Sequence, residues 1–367
     1  MAQLGSVEFA FFAFCALILT AVSAGAGSRL PAQSLPVPRL CVNLDSPAEE
    51  RWGPALHHWN LTQMRTLFIG TIEQVVPKEA LPLVDQLGNV LDELLPAPYS
   101  GEIRGVAKTL DIGVGEMAFI NMLYDFTAAC TSIVAQDANG TIWHGRNLDY
   151  SFSTSLSNVT AIVDFKSHGK TVYTTTSFVG QVGVFTGMKP NKFTISLNER
   201  DQGSVFENVV ELLKAILLKK VKFTTFVLRD ALTNDNSFDE VVQRFTSQKE
   251  VSPVYLIIGG IKPGEGVVVT RGRETTLDVW RLDLSGNRWF LLETNYDHWV
   301  PPPKSDDRRD PGNKAMNAVG EKSINNNTMW NVLSTQPVLN EDTIYTALMC
   351  AARPEIYSSR LRKLPDN

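Results

Sequence analysis

One cysteine stands in a setting that could do chemistry. It opens the stretch Cys130-Thr-Ser-Ile-Val-Ala-Gln-Asp-Ala-Asn-Gly-Thr-Ile-Trp-His-Gly-Arg146-Asn147-Leu-Asp149-Tyr150. Alternating residues on either side of Asp137-Ala-Asn-Gly140 predict a β-hairpin. A two-residue type I′ turn at Asn139-Gly140 places Cys130 opposite Asp149, with their side chains in reach. Arg146 then points to the other face unless a bulge at Gly145 turns it back. The thiolate is the nucleophile of cysteine chemistry, and a nearby cation lowers its pKa. If the chain is cut between Ala129 and Cys130, the freed α-amine, with a reference pKa of about 8, can take the thiol proton. Asp149 would hold and orient that amine. Histidine is then dispensable, and the chain has only five.

Two plainer readings compete. A cysteine on its own is usually a small buried hydrophobe. A papain-like Cys/His pair, with His144 or His298 as partner, lacks the local cysteine signature of that family. His57-His58 is an adjacent pair, better suited to a surface than to a chelate, and there is no metal cluster and no nucleotide loop. The sequence therefore predicts no cofactor.

The elements around the cysteine change character along the chain. Residues 28–40, with Pro31, Pro36 and Pro38, read as a flexible Pro-rich leader. Apolar spacing predicts helices over 59–75, 81–95 and 116–124. After Cys130 the period becomes alternating, with strands over 160–165, 171–178, 183–186 and 192–197. Helices are predicted over 205–219, 224–233 and 238–246, then strands over 254–258, 266–270, 276–282 and 288–294. Short helices follow, with a last strand near 344–348. This order predicts an α+β fold with largely antiparallel sheets, layered helix–sheet–sheet–helix.

The first two dozen residues stand apart. A charge-free apolar run from Phe9 to Val22 precedes Ala24-Gly25-Ala26, so residues 1–26 read as a signal peptide. Asn60, Asn139, Asn158 and Asn326 each begin an N-x-Thr sequon, as expected of a glycoprotein of the secretory route. Removing the signal removes Cys15 and leaves Cys41, Cys130 and Cys350. With Cys130 assigned to chemistry, Cys41 and Cys350 either pair or stand as two buried thiols. The net charge of −5 offers nothing to nucleic acid. The strongly apolar segment 205–219, followed by Lys220, is expected in the core or between chains. Its basic end also allows peripheral contact with anionic lipid.

Three segments carry a resemblance. Cys130-Thr-Ser-Ile-Val-Ala with His-Gly-Arg-Asn-Leu-Asp149, then Ser196-Leu-Asn-Glu199-Arg, then Glu293-Thr-Asn295-Tyr-Asp-His-Trp299 with Asp306-Asp-Arg308-Arg309, resemble the acid ceramidase and N-acylethanolamine acid amidase family. That family is similar to the N-terminal-nucleophile hydrolases. The resemblance implies a four-layer αββα sandwich and a lysosomal precursor cut before Cys130. It implies a helical α chain over 27–129, retained as the partner of a catalytic β chain over 130–367. It also implies Cys130 as nucleophile, Asp149 at its amine and Arg146 at the thiolate or substrate carbonyl. Asn295 would be an oxyanion donor, Glu199 and Arg308 supporting polar contacts, and Tyr150 part of an acyl channel. Tyr150, His298 and the short stretch after Asp149 are similar to the N-acylethanolamine branch, whereas Ser196-Leu-Asn-Glu-Arg and a Cys41–Cys350 bridge are similar to the ceramidase branch. Hydrolysis of fatty acid amides of ethanolamine is the implied activity, with ceramide hydrolysis as the alternative. A catalytically dead lipid-binding glycoprotein is the non-enzymatic reading.

Overall fold

The computed structural model describes residues 33–75, 84, 95–150, 156–200, 223–249 and 253–363. The expected signal peptide, most of the helix expected over 81–95 and the apolar helix expected over 205–219 lie outside them. The described residues belong to one compact unit, Gln33–Lys363.

Two sheets carry it. The first joins β1 (Gln33–Pro36), β14 (Ser358–Lys363), β13 (Thr343–Met349), β4 (Ile142–Tyr150), β3 (Ala128–Gln136) and β12 (Phe290–Glu293), in that order and antiparallel throughout. The second has eight strands in the order β11 (Thr276–Arg281), β10 (Gly266–Arg271), β9 (Val254–Gly259), β8 (Phe193–Glu199), β7 (Thr186–Lys189), β6 (Lys170–Phe178), β5 (Thr160–Ser167) and β2 (Arg39–Asn43). Only β2, on β5, pairs in parallel.

Alternation along the strands builds the layers. Val134 and Ile142 face Tyr255, Ile257 and Val268 of the second sheet. Ile133 and Ala135 face the other way, onto Met316 of α6 (Arg309–Val319) and Met329 and Leu333 of α7 (Asn326–Leu333). The far face of the second sheet is covered by α4 (Thr224–Asn234) and α5 (Phe238–Ser247), where Phe238, Val241, Val242 and Phe245 pack with Leu256 and Ile258. The helices α1 (Leu61–Val75), α2 (Tyr99–Leu110) and α3 (Val114–Thr127) complete the fold. Helix, sheet, sheet and helix follow one another as the element order predicts.

Three local readings are corrected. The Pro-rich leader is not a flexible arm from Gln33 on: β1 and β2 sit on opposite sides of Pro38, one at the edge of each sheet, where proline is tolerated. The helix α2 escapes the apolar pattern because it carries Gly101 and Gly105. Both are needed for close approach: a Cβ on Gly105 would lie 2.0 Å from the Glu49 carbonyl oxygen. The Cys41–Cys350 bridge is not formed. Cys41 is an exposed free thiol on β2, and Cys350 is a free thiol buried with Trp143 and Leu348 beneath the α6 and α7 layer.

Candidate active site

The hairpin that carries Cys130 differs from the predicted one by a single residue, with a large consequence. Asp137 accepts from the Asn139 and Thr141 amides (both 2.9 Å), so residues 137–141 form the loop and Gln136 pairs with Ile142. Only Gly140 in the loop takes a positive φ, 84°. The type I′ geometry appears instead at His168-Gly169, both with positive φ, between β5 and β6. Cys130 consequently lies opposite Leu148, and Asp149 lies opposite Ala129. A one-residue shift in a period-two element exchanges the faces. Arg146 shares the face of Cys130 with no bulge, and Asp149 points the other way.

The inner face of β3 and β4 therefore holds Cys130 and Arg146, both fully buried. Arg146 donates to Cys130 Sγ, to the Phe185 carbonyl (2.5 Å) and to Thr186 Oγ1 (2.6 Å). Burial pushes the Cys130 thiol above its ordinary pKa, Arg146 pulls it back, and Asp149 raises it further.

The Cys130 backbone is held by side chains. The ladder between β3 and β12 ends at Ser132 and Glu293. Beyond it, Asn295 Oδ1 accepts from the Cys130 amide at 2.7 Å, and Arg308 Nη1 donates to the Cys130 carbonyl at 2.7 Å. Arg308 Nη2 also donates to Asn295 Oδ1 (2.8 Å). Asn295 Nδ2 donates to the Glu199 carbonyl (2.8 Å), while its oxygen holds the cysteine nitrogen. Glu199 meets the site through its backbone, at the end of β8.

Asp149 reaches Cys130 through Arg308. Its carboxylate lies 3.3 Å from Arg308 Nη1 and accepts from Thr343 Oγ1 (2.6 Å) and Asn340 Nδ2 (3.1 Å). Burial raises its pKa, against the pull of Arg308 and these two donors. Burial opposes the charge of Arg308 too, but the bidentate grip of Asp306 (2.7 Å on each oxygen), together with Asp149, wins and raises its pKa. Arg308 stays a cation.

The rival histidines are engaged elsewhere. His144 is buried with Nδ1 on Thr194 Oγ1 and Nε2 on Ser196 Oγ, both 2.9 Å. Burial, then Arg146, lowers its pKa to about 3. It is a neutral spacer between the sheets. His298 stacks on Trp280 at 4.1 Å and lies 3.7 Å from Glu293.

A buried cysteine thus has a guanidinium on its sulfur and a side-chain amide on its nitrogen. Residues 130–320 match the linear amide C–N hydrolases of the choloylglycine hydrolase family, and residues 36–95 match the β subunit of N-acylethanolamine-hydrolyzing acid amidase. The chain belongs to the linear amide C–N hydrolase family. Among its relatives, the rabbit (Oryctolagus cuniculus) N-acylethanolamine-hydrolyzing acid amidase is 42% identical, covering 92% of this chain and 93% of its own. The human acid ceramidase is 38% identical over 90% of this chain and 87% of its own. A solved Caenorhabditis elegans N-acylethanolamine-hydrolyzing acid amidase ortholog superposes with a TM-score of 0.58 at 36% identity, covering 63% of this chain and 99% of its own.

Other residues of the amide hydrolase fall as follows. Tyr150, on the Cys130 face, lines an apolar cavity with Phe68, Thr71, Ile120, Leu156, Phe178 and Gln181. Asn60, Asn139 and Asn158 are exposed, whereas Asn326 is half-buried at the start of α7, where the Thr328 hydroxyl accepts from the Asn325 amide. Among residues the sequence did not single out, Thr186, Asn340 and Thr343 come from other segments with no local signal. Asn198 stood inside a noted motif, two residues from Ser196 and hence on its face.

Proposed function

We propose that this protein is a lysosomal amidase that cuts its own Ala129–Cys130 bond and then hydrolyses N-acylethanolamines, such as palmitoylethanolamide, to fatty acid and ethanolamine. The observation that carries this reading is the Asn295 amide on the Cys130 nitrogen, beside a thiol already facing Arg146. In a cysteine protease of the Cys/His type that nitrogen is a peptide N–H left open to donate to the oxyanion. Here an acceptor side chain occupies it, as suits a nitrogen that becomes a free amine.

In self-cleavage the Cys130 sulfur attacks the Ala129 carbonyl carbon and the proton passes to the departing Cys130 nitrogen. Water then hydrolyses the thioester, leaving a carboxylate on Ala129 and a free thiol and amine on Cys130. In turnover the amine takes the thiol proton as sulfur attacks the substrate amide carbon. It gives that proton to the leaving ethanolamine nitrogen, and water, deprotonated by the same amine, releases the acid. Arg146 offsets the thiolate charge. Asn295 and Arg308 fix the backbone of Cys130, and Asp149, bound to Arg308, is in this reading the carboxylate that orients the new amine. Asn295 Nδ2, with a second hydrogen beyond the one given to the Glu199 carbonyl, is the oxyanion donor in this reading.

The apolar cavity beside Tyr150 is small, about 30 Å³, so in this reading it widens to take an acyl chain. Its lining comes from both expected chains, Phe68, Thr71 and Ile120 from the α chain and Tyr150, Leu156, Phe178 and Gln181 from the β chain. The two chains stay together as a heterodimer in this reading, because β1 and β2 are strands of the sheets. Peripheral contact with a lipid surface is supported by Trp299 and Val300, 50% and 38% exposed and a few residues beyond Asn295.

The test is purified protein on palmitoylethanolamide and ceramide side by side, wild type against Cys130→Ala. Turnover of the ethanolamide that vanishes in the variant agrees with the reading. Faster ceramide turnover would reassign the substrate to that of an acid ceramidase, and equal lipid binding without turnover in both proteins would make the chain a binder.

A further inference from the structure

Two of the noted segments are fastened to each other by three consecutive residues of one strand end. Asn198 Nδ2 donates to the carbonyls of Glu293 and Thr294, both at 3.0 Å. The Glu199 carbonyl accepts from Asn295 Nδ2 at 2.8 Å. Arg200 grips Asp297 with Nε at 2.7 Å and Nη2 at 2.6 Å. The segment 293–297 is otherwise leaving the first sheet, since its ladder with β3 stops at Glu293. Asn295 is thus presented to Cys130 by a stretch whose own backbone is tied to the second sheet.

Asn198 is the buried hub of this tie, with no exposed surface. Its Oδ1 accepts from Ser132 Oγ at 2.8 Å, and Ser132 is two residues past Cys130 on the same face. Ser132 in turn accepts from Ser196 Oγ (2.9 Å), which contacts His144 Nε2. The donor count fixes the direction. Both Asn198 amide hydrogens go to carbonyls, so its oxygen must accept from Ser132. Ser132 has then spent its proton and must accept from Ser196. Ser196 has spent its own, so His144 Nε2 carries hydrogen. Neutral His144 is consequently the Nε2–H tautomer, and its Nδ1 takes the one Thr194 hydroxyl proton at 2.9 Å over the longer, 3.3 Å contact of that hydroxyl with the Gly259 carbonyl.

From this the geometry points to Asn198 as a positioning residue for the Cys130 reaction. Its one amide measures the cysteine strand through Ser132 against the Asn295 segment through two carbonyls. The inference rests on the reading that Cys130 attacks and that Asn295 holds its nitrogen. A displacement of about 1 Å at such a site costs on the order of 10²-fold in rate. A general loss of folding would instead lower the amount of active protein.

The test compares Asn198→Ala with Val242→Ala, a buried α5 substitution away from the site, as a control for lost stability. Asn198→Ala should lower kcat and the self-cleavage rate by about 10- to 100-fold with KM within twofold. The control should keep wild-type kcat per folded molecule. Wild-type kcat per folded molecule in Asn198→Ala overturns the assignment, as does a fall matched by the control. Should Asn198→Ala fail to fold, Asn198→Asp decides. It keeps the acceptor for Ser132 but sets an oxygen against two carbonyls until it is protonated. Its kcat relative to wild type should rise as pH falls, and a ratio constant with pH overturns the inference. Cys130→Ala runs in parallel: if it still turns over, the site itself is wrong, whereas a dead Cys130→Ala beside a fully active Asn198→Ala removes only the role of Asn198.

Discussion

Replacing Glu102 with glutamine probes what holds the two expected chains together after cleavage. Glu102, in α2 and fully buried, takes Arg229 of α4 in a fork, Nη1 at 2.6 Å and Nη2 at 2.7 Å. It also accepts from Arg51 Nη1 (2.9 Å) and Trp52 Nε1 (2.7 Å). The α side supplies Arg51, Trp52 and Glu102, and the β side supplies Arg229 and Tyr173, whose hydroxyl accepts from Arg229 Nε at 2.9 Å. Glu102→Gln leaves a buried cation without its charge partner, a loss of about 3–5 kcal/mol. With an unfolding entropy of ~2.1 cal/mol/K per residue, the uncut chain should lose about 4–7 °C in Tm. In cut protein the same loss is worth on the order of 10³ in the affinity between chains. The assay is thermal unfolding of uncut protein beside dilution and size-exclusion chromatography of cut protein. The double variant Glu102→Leu with Arg229→Met should recover most of the loss, since a well-packed apolar pair can replace a buried ion pair. Tm within 1 °C of wild type and undissociated chains would refute the reasoning. Burial raises the pKa of Glu102, but Arg229 and the other donors bring it below its ordinary value. The stability it contributes is therefore present above the unfolded value and is lost only as pH falls through the depressed folded value, so the pair should persist at mildly acid pH.

Three further outcomes follow from named contacts. Arg146→Met removes the cation from Cys130 Sγ and leaves burial unopposed, so iodoacetamide should label the thiol at least 10-fold more slowly at pH 7; unchanged labelling contradicts it. His144, held at about 3, takes up a proton more readily unfolded than folded, so its contribution to stability is lost as pH falls from its ordinary 6.5 toward 3. Between pH 7 and 4.5 that amounts to about 2–3 kcal/mol, and urea unfolding of His144→Gln should lose correspondingly less on acidification. Glu293 and Asp149, raised by burial, act in the opposite sense and do so equally in both proteins. Gly105→Ala should cost several kcal/mol by thermal unfolding because its Cβ meets the Glu49 backbone, whereas Gly53→Ala, which meets nothing within 4 Å, should be near neutral.

Much of this was legible in the residues, and the failures have local causes. The change from helical to alternating spacing at Cys130 gave the layer order, because each layer buries one face of its elements. The hairpin parity was lost to a single side chain, since Asp137 captures two loop amides and outcompetes the Asn139-Gly140 turn. That one residue exchanged Arg146 and Asp149 between faces. The strands β1 and β14 carry too few apolar residues to announce themselves, and β2 is a five-residue edge strand just after Pro38. The site itself is assembled from segments far apart in sequence, so spacing could not show that Asn295 reaches the Cys130 nitrogen. The motif Ser196-Leu-Asn-Glu-Arg was visible, but the contacts of Asn198 and of the Glu199 backbone carbonyl with residues 293–295 depend on segments far away in sequence.

The most direct test is the first residue of the active species. Protein labelled with iodoacetamide to the point of inactivation is resolved by chain, each chain sequenced from its N-terminus and its intact mass measured. The account predicts that the label lies on a chain beginning at Cys130 and that its extent tracks the activity lost. An uncut chain that carries full activity, or a label that tracks activity on Cys41 or Cys350, contradicts it.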